Sequence, residues 1–314
     1  MAIDYTTDGL IRQVRDRAVV PSSENLFPPS RILSIANEEL QSNIVPDIME
    51  AREEYFVYYE DTIITENNSQ YFIPERAIGT KLRDLAIVQN PGDNGEVTIP
   101  IVRLQPENAM GLPLSGLGFG TTTRPGYIVR NNWVILYGPI SAGQTLRFLY
   151  FMRPGHLVQT TEAANVASVS GDIVSCVNVP VSWTTGTVVD VIEGNPPFNY
   201  RAINQPVTQV AGNDITLPDT AGIEPGDWIA LKNESPIAQI PWELHPLLAQ
   251  GVTTYIMHSI DPKQAVLEKQ RYEAMRQNAL TMIDNRVEGQ GEKIMSNNSI
   301  SNWTKRGRWF GAGW

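Results

Sequence analysis

Three histidines, His156, His245 and His258, are the residues best suited to acid-base or metal chemistry in this chain, and their spacing supports neither. None stands in a His-Glu-x-x-His arrangement, and no serine is set beside a base in a recognisable motif. Glu50 and Glu54 are four residues apart, which on a helix places two carboxylates on one face. That pair reads as a solvated face or an intersubunit contact. Cys176 is the single cysteine, so an internal disulfide framework and a multi-cysteine zinc site are both excluded. Within a β-type segment it reads as a small core residue. The glycines between Gly111 and Gly120 fit neither the dinucleotide fingerprint nor the phosphate-loop pattern. The expectation is a non-catalytic protein with no cofactor and no metal.

The strongest anomaly lies at the end of the chain. Three of the seven tryptophans, Trp303, Trp309 and Trp314, fall there together with Phe310, interleaved with Lys305, Arg306 and Arg308. The stretch has no helical or strand period, and its glycines disfavour an autonomous fold. So much apolar surface is seldom left without use. It suits a cover for the chain's own core, an anchor in a neighbouring protein, or a platform for nucleic-acid stacking. Trp and Arg dominate interface hot spots, which favours the anchor.

The charge balance weighs against the nucleic-acid option. With 24 basic and 34 acidic residues the formal charge is −10, unlike the broad basic face that phosphate binding needs. Between residues 160 and 240 nine carboxylates face only Arg201 and Lys232, whereas the tail from Arg286 onward is basic. Acidic body and basic tail are therefore expected to attract one another between subunits. No apolar run reaches the ~20 residues of a membrane span, and Met1–Tyr5 lacks the basic and apolar regions of a secretory signal.

The elements that must position these residues follow from periodicity. Thr7 reads as the N-cap of a helix carrying Leu10, Val14 and Ala18, ended by Pro21. Pro28-Pro29-Ser30 opens a second helix with the stripe Leu33, Ala36, Leu40, Ile44 and Ile48. Pro46 should kink or split it, and Met49 to Phe56 reads as its continuation. Short β runs follow at 61–65 and 70–73, while Lys81 to Val88 suits either strand or helix. Residues 106–127 form a Gly/Pro/Thr-rich loop. The runs 127–137 and 144–152 are β-branched and aromatic, with turn residues Gly138-Pro139 and Ala142-Gly143 between them, and read as a hairpin. From 160 to 238 the texture is almost wholly β, with segments at 173–179, 187–192, 214–217 and 227–231, suggesting a small sandwich or barrel. Helical period returns with Leu244, Leu247, Leu248 and Val252. A last helix starts at Asp261-Pro262, an N-cap followed by proline, and runs to about Asp284.

Two stretches carry a family resemblance. Leu10 to Ala18, the helix Arg31 to Leu40 with its run into Ile44-Val45-Pro46, and Arg52-Glu53-Glu54-Tyr55 resemble the helical head-to-tail connector (adaptor) proteins of tailed bacteriophages. Gly226 to Leu231 followed by Pro241 to Gln250 is similar to the point where such connectors return from their β region to closing helices. The likeness spans residues 8–58 and 226–285. The enlarged β region suits a ring protein of a short-tailed or crAss-like phage.

The resemblance implies an α+β fold. Its parts would be a helical connector core with β segments over 1–159, a β insertion domain over 160–238, closing helices over 239–285 and an extended tail over 286–314. It also implies a structural virion protein of the neck or tail, present in the host cytoplasm during assembly. Such a protein forms a homo-oligomeric ring of about twelve copies, docked between the portal protein and a downstream tail or ring protein. DNA would pass through its channel without specific binding. The partner-binding residues would then be Trp303, Lys305, Arg306, Arg308, Trp309, Phe310 and Trp314. The alternative is a binding module whose β insertion recognises carbohydrate or a host surface through exposed aromatics such as Trp183, Phe198 or Tyr200.

Overall fold

The computed structural model describes residues 4–20, 26–66, 68–89, 91, 96–105, 125–138 and 140–283. The fold is α+β, and among the described residues of the unit Met1–Ile283 three large hydrophobic cores and one small cluster form.

Helices from both ends of the chain build the first core. They are α1 (Thr7–Ala18), α2 (Pro29–Glu39), α3 (Val45–Ala51), α4 (His245–Ile260) and α5 (Pro262–Ile283). The N-cap of α1 is Thr6 rather than Thr7, its side chain accepting from the Gly9 N–H, while Thr7 is buried in the first turn. Between α2 and α3 lies one π-helical stretch, Leu40–Ile44, in which the Val45 N–H donates to the Leu40 carbonyl. Pro46 is the cause: it has no N–H to donate and its ring crowds the preceding turn, so the helix absorbs the defect as a wider turn. The helix then ends at Ala51. Glu53–Phe56 is a 3-10 turn, not the continuation that the sequence suggests, so Glu50 and Glu54 do not share a helical face. The central helix is α4, in which Leu247 through Thr253 are all buried. Apolar residues on every side mark a helix enclosed by others.

The second core lies between two four-stranded sheets. One has the order β1 (Val57–Ile63), β8 (Thr145–Met152), β3 (Ala77–Gln89), β4 (Val97–Pro100). The other runs β2 (Gln70–Phe72), β7 (Trp133–Tyr137), β6 (Gly126–Arg130), β5 (Val102–Arg103). Residues 81–88 are thus strand. The expected hairpin is corrected: β6 and β7 pair with each other across Asn131-Asn132, whereas β8 is a central strand between β1 and β3. Asn131 takes φ +53, a left-handed conformation that asparagine tolerates, and this makes the tight turn. Leu146, Phe148 and Tyr150 then alternate into the sandwich core.

The third core belongs to residues 164–231. Seven strands follow the order β13 (Tyr200–Pro206), β12 (Val188–Ile192), β16 (Trp228–Leu231), β10 (Ala164–Ser170), β11 (Ile173–Cys176), β15 (Asp214–Thr216), β14 (Gln209–Ala211). The first and last strands in that order are one stretch of chain. At its middle Val207 N–H bonds the Thr187 carbonyl and Thr208 N–H bonds that of Thr216. The ladder therefore closes on itself as a small barrel, aided by a register shift between Val166 and Ser168 that turns β10 from β16 to β11.

Candidate functional site

The seven tail residues expected to bind a partner lie outside the described residues, as do 106–124 of the glycine-rich loop. The other sequence candidates are all placed, and the fold scatters them. His156 lies on β9 (His156–Leu157), His245 opens α4 and His258 is near its end. Among the described residues no three His, Cys, Asp or Glu side chains stand where they could share a metal ion. Cys176 is buried, and burial pushes its thiol up to about 12, so it is an inert core residue as the sequence suggests. Trp183 and Phe198 are core residues at 4% and 1% exposure. They are not the exposed aromatics that carbohydrate recognition would require.

Asn37 joins α2 to β9. Its Oδ1 accepts from Leu157 N–H at 2.7 Å and its Nδ2 donates to Leu157 C=O at 3.1 Å, replacing the neighbour that this two-residue strand lacks on that edge. On the other edge, β17 (Glu234–Ser235) pairs with β9 in parallel.

Two clefts and one buried ion pair organise the polar chemistry. A cleft of about 480 Å³ lies where α2 and its π turn meet α4 and α5. At its floor the Glu39 carboxylate accepts from the Tyr272 hydroxyl at 2.6 Å and from Asn43 Nδ2 at 2.7 Å. Burial, then the Glu39 carboxylate, pushes the Tyr272 hydroxyl far above its usual range. Gly251 lies against it, and a Cβ there would overlap Glu39 Oε1, so the carboxylate would have to shift away. On the same side, Arg276 grips Asp47 in a bidentate pair at 2.5 and 2.6 Å, which holds α5 to α3.

The barrel meets the sandwich at Arg76 and Asp190, whose side chains are 4% and 0% exposed. Arg76 Nη2 lies 2.8 and 2.6 Å from the two Asp190 oxygens, which also accept from the Asn204 and Asn233 N–H groups, each at 2.9 Å. The Arg76 guanidinium lies over the Tyr200 ring, 5.5 Å from its centroid. At the exposed edge Lys232 pairs with Glu75 at 3.0 Å.

The second cleft, about 340 Å³, opens beside this joint. Its walls come from the 3-10 turn (Tyr55, Phe56), from Tyr58, from the end of β8 and from the barrel loop 197–200. Phe198 has φ +62, a left-handed conformation uncommon for an aromatic residue, and its ring packs against Tyr5 and His245 at 5.3 and 5.2 Å. Burial holds the His245 imidazole down at about 4. At the floor, Gln239 Oε1 accepts from Gly155 N–H at 2.7 Å, and the Tyr200 hydroxyl is buried beside the Gln239 side chain. Nothing in the sequence singles out Gln239 or Arg76, since each acquires its role from a contact distant in the chain.

Compared with protein-family models and with curated proteins, the chain matches none. Among the described residues no helix is long and apolar enough to cross a membrane.

Proposed function

We propose that this protein is a non-catalytic ring subunit of a tailed-phage neck, joining the portal to the tail around the DNA channel. The observation that carries the reading is the outer face of α5. Its 22 residues extend about 33 Å at 1.5 Å per residue. After Lys263, the outward stripe Val266, Leu267, Gln270, Ala274, Gln277 and Thr281 is exposed and carries no charge. A helix face meant for water normally bears charged residues along its length. Tyr255 and Ile260 of α4 add exposed apolar surface beside it. Such a surface suits a subunit contact in a ring, where one face of a copy meets a different face of the next. The formal charge of −10 supports a channel through which DNA passes without adhering. The basic, aromatic tail is assigned to docking on the portal or a neighbouring subunit.

Light-scattering mass with negative-stain imaging of the full-length protein tests this. Closed rings of about twelve copies are expected, alone or on a portal ring. Leu267→Glu or Ala274→Glu should abolish rings while leaving a folded monomer. Removal of residues 287–314 should leave the fold intact and abolish docking. A protein that neither self-associates nor binds a portal ring would overturn the proposal.

A further inference from the structure

We propose that a third cleft, walled by β1, β2 and the barrel residues Asn204 and Lys232, binds a neutral oligosaccharide. It measures about 510 Å³, within the range of ligand-sized cavities. The large apolar side chain exposed in its lining is Phe72 of β2, at 65%, whereas Tyr71 and Ile73 on either side are buried. The Phe72 ring packs against Trp133 across the β2–β7 pair, with centroids 3.5 Å apart. A strand residue backed in this way is a fixed platform, so little side-chain ordering is left for a ligand to bring about. It is the solvent-exposed aromatic surface that Trp183 and Phe198 do not provide.

The polar lining supplies both halves of a hydrogen bond. The Glu60 and Glu75 carboxylates accept, and the Thr62 hydroxyl and the Asn132 amide both donate and accept. Asn204 presents its amide N–H groups, because its oxygen accepts from Arg76 Nη2 at 3.2 Å. A sugar hydroxyl also donates and accepts at one atom, so a row of hydroxyls meets this set without leaving either kind unpaired. The C–H face of a pyranose ring supplies the apolar partner for Phe72. Other occupants fit less well. A phosphate or nucleic acid would face two carboxylates, while Lys232 is already paired with Glu75 at 3.0 Å and Arg76, 4% exposed, is committed to Asp190. An extended peptide needs a row of pockets for alternate side chains, and the described lining offers a single exposed ring.

The proposal does not rest on the ring reading. Its test is an array of neutral glucan, galactan, mannan and N-acetylglucosamine oligomers probed with the labelled full-length protein, with sulfated and sialylated glycans as anionic controls. The best neutral oligomer is then titrated calorimetrically. Saturable binding with Kd below about 1 mM is expected. Phe72→Ala should weaken it about ten-fold, whereas Phe72→Tyr, which keeps the platform, should retain it. Asn132→Ala, at an exposed turn position, should weaken it about five-fold with an unchanged melting temperature. Failure of every neutral oligomer to bind, binding confined to the anionic glycans, or unchanged affinity in both alanine variants would each overturn the proposal.

Discussion

Loss of the Asp190 carboxylate should cost more than any other single polar truncation in the described fold. It accepts both contacts from Arg76 Nη2 and the N–H groups of Asn204 and Asn233, with no exposure to water. Asp190→Ala leaves a guanidinium buried without a counter-charge, a penalty of about 3–5 kcal/mol. It also strips two backbone N–H groups of their acceptor, at about 1 kcal/mol or more each. The expected loss is therefore on the order of 5 kcal/mol, which rivals the whole stability of a marginal domain. Arg76→Met with Asp190→Leu removes both charges and restores apolar bulk. The double variant should then lose roughly 3 kcal/mol less than the sum of its single changes. Urea titration followed by tryptophan fluorescence reads this directly, because Trp183 is buried in the barrel core. Amide exchange at Asn204 and Asn233 reports the same site locally. An Asp190→Ala variant within about 1 kcal/mol of the parent, or single changes that simply add in the double variant, would refute the reasoning.

Three further outcomes follow from the geometry. His245 titrates near 4 in the fold against a usual 6.5, so the unfolded chain takes up the proton first as pH falls. Its contribution is complete above pH 6.5 and declines toward pH 4 by about 3 kcal/mol, and His245→Phe should remove that part of the pH dependence of the urea midpoint. Cys176 should resist a thiol reagent at pH 8 in the folded protein and react fully in denaturant, as followed by mass spectrometry. Gly251→Ala should destabilise by about 1–3 kcal/mol despite alanine's better helix propensity, because the new methyl displaces Glu39; in a Glu39→Ala background the same change should become neutral or stabilising in thermal melts.

Much of the helical layer was legible locally. The Asp261-Pro262 start of α5 is an N-cap in the structure, with Asp261 Oδ1 accepting from the N–H groups of Lys263 and Gln264. The stripe Leu33, Ala36, Leu40, Ile44 and Ile48 is buried throughout, and Pro46 marks a defect in the helix that carries it. The β segments of 173–176, 188–192, 214–216 and 228–231 fall within the expected runs. These features depend on neighbours within a turn or two, where a cap, a proline or a period is itself the cause.

What only the tertiary structure decided is which strands meet and which polar groups share a site. Strand β8 reads as half of a hairpin until its two hydrogen-bonding edges find β1 and β3, where Ile63 pairs with Thr145 and Leu85 with Phe148, 82 and 63 residues away. Residues 57–152 thereby gain a sandwich core of their own, which composition alone does not distinguish from scattered short strands. Arg76 and Asp190 are ordinary charged residues in the sequence; burial against one another, across 114 positions, turns them into a joint. Tyr200 and Gln239 face one cleft for the same reason. Periodicity and capping act through bonds that span a few residues, whereas a cleft is defined by side chains that only the folded core brings together.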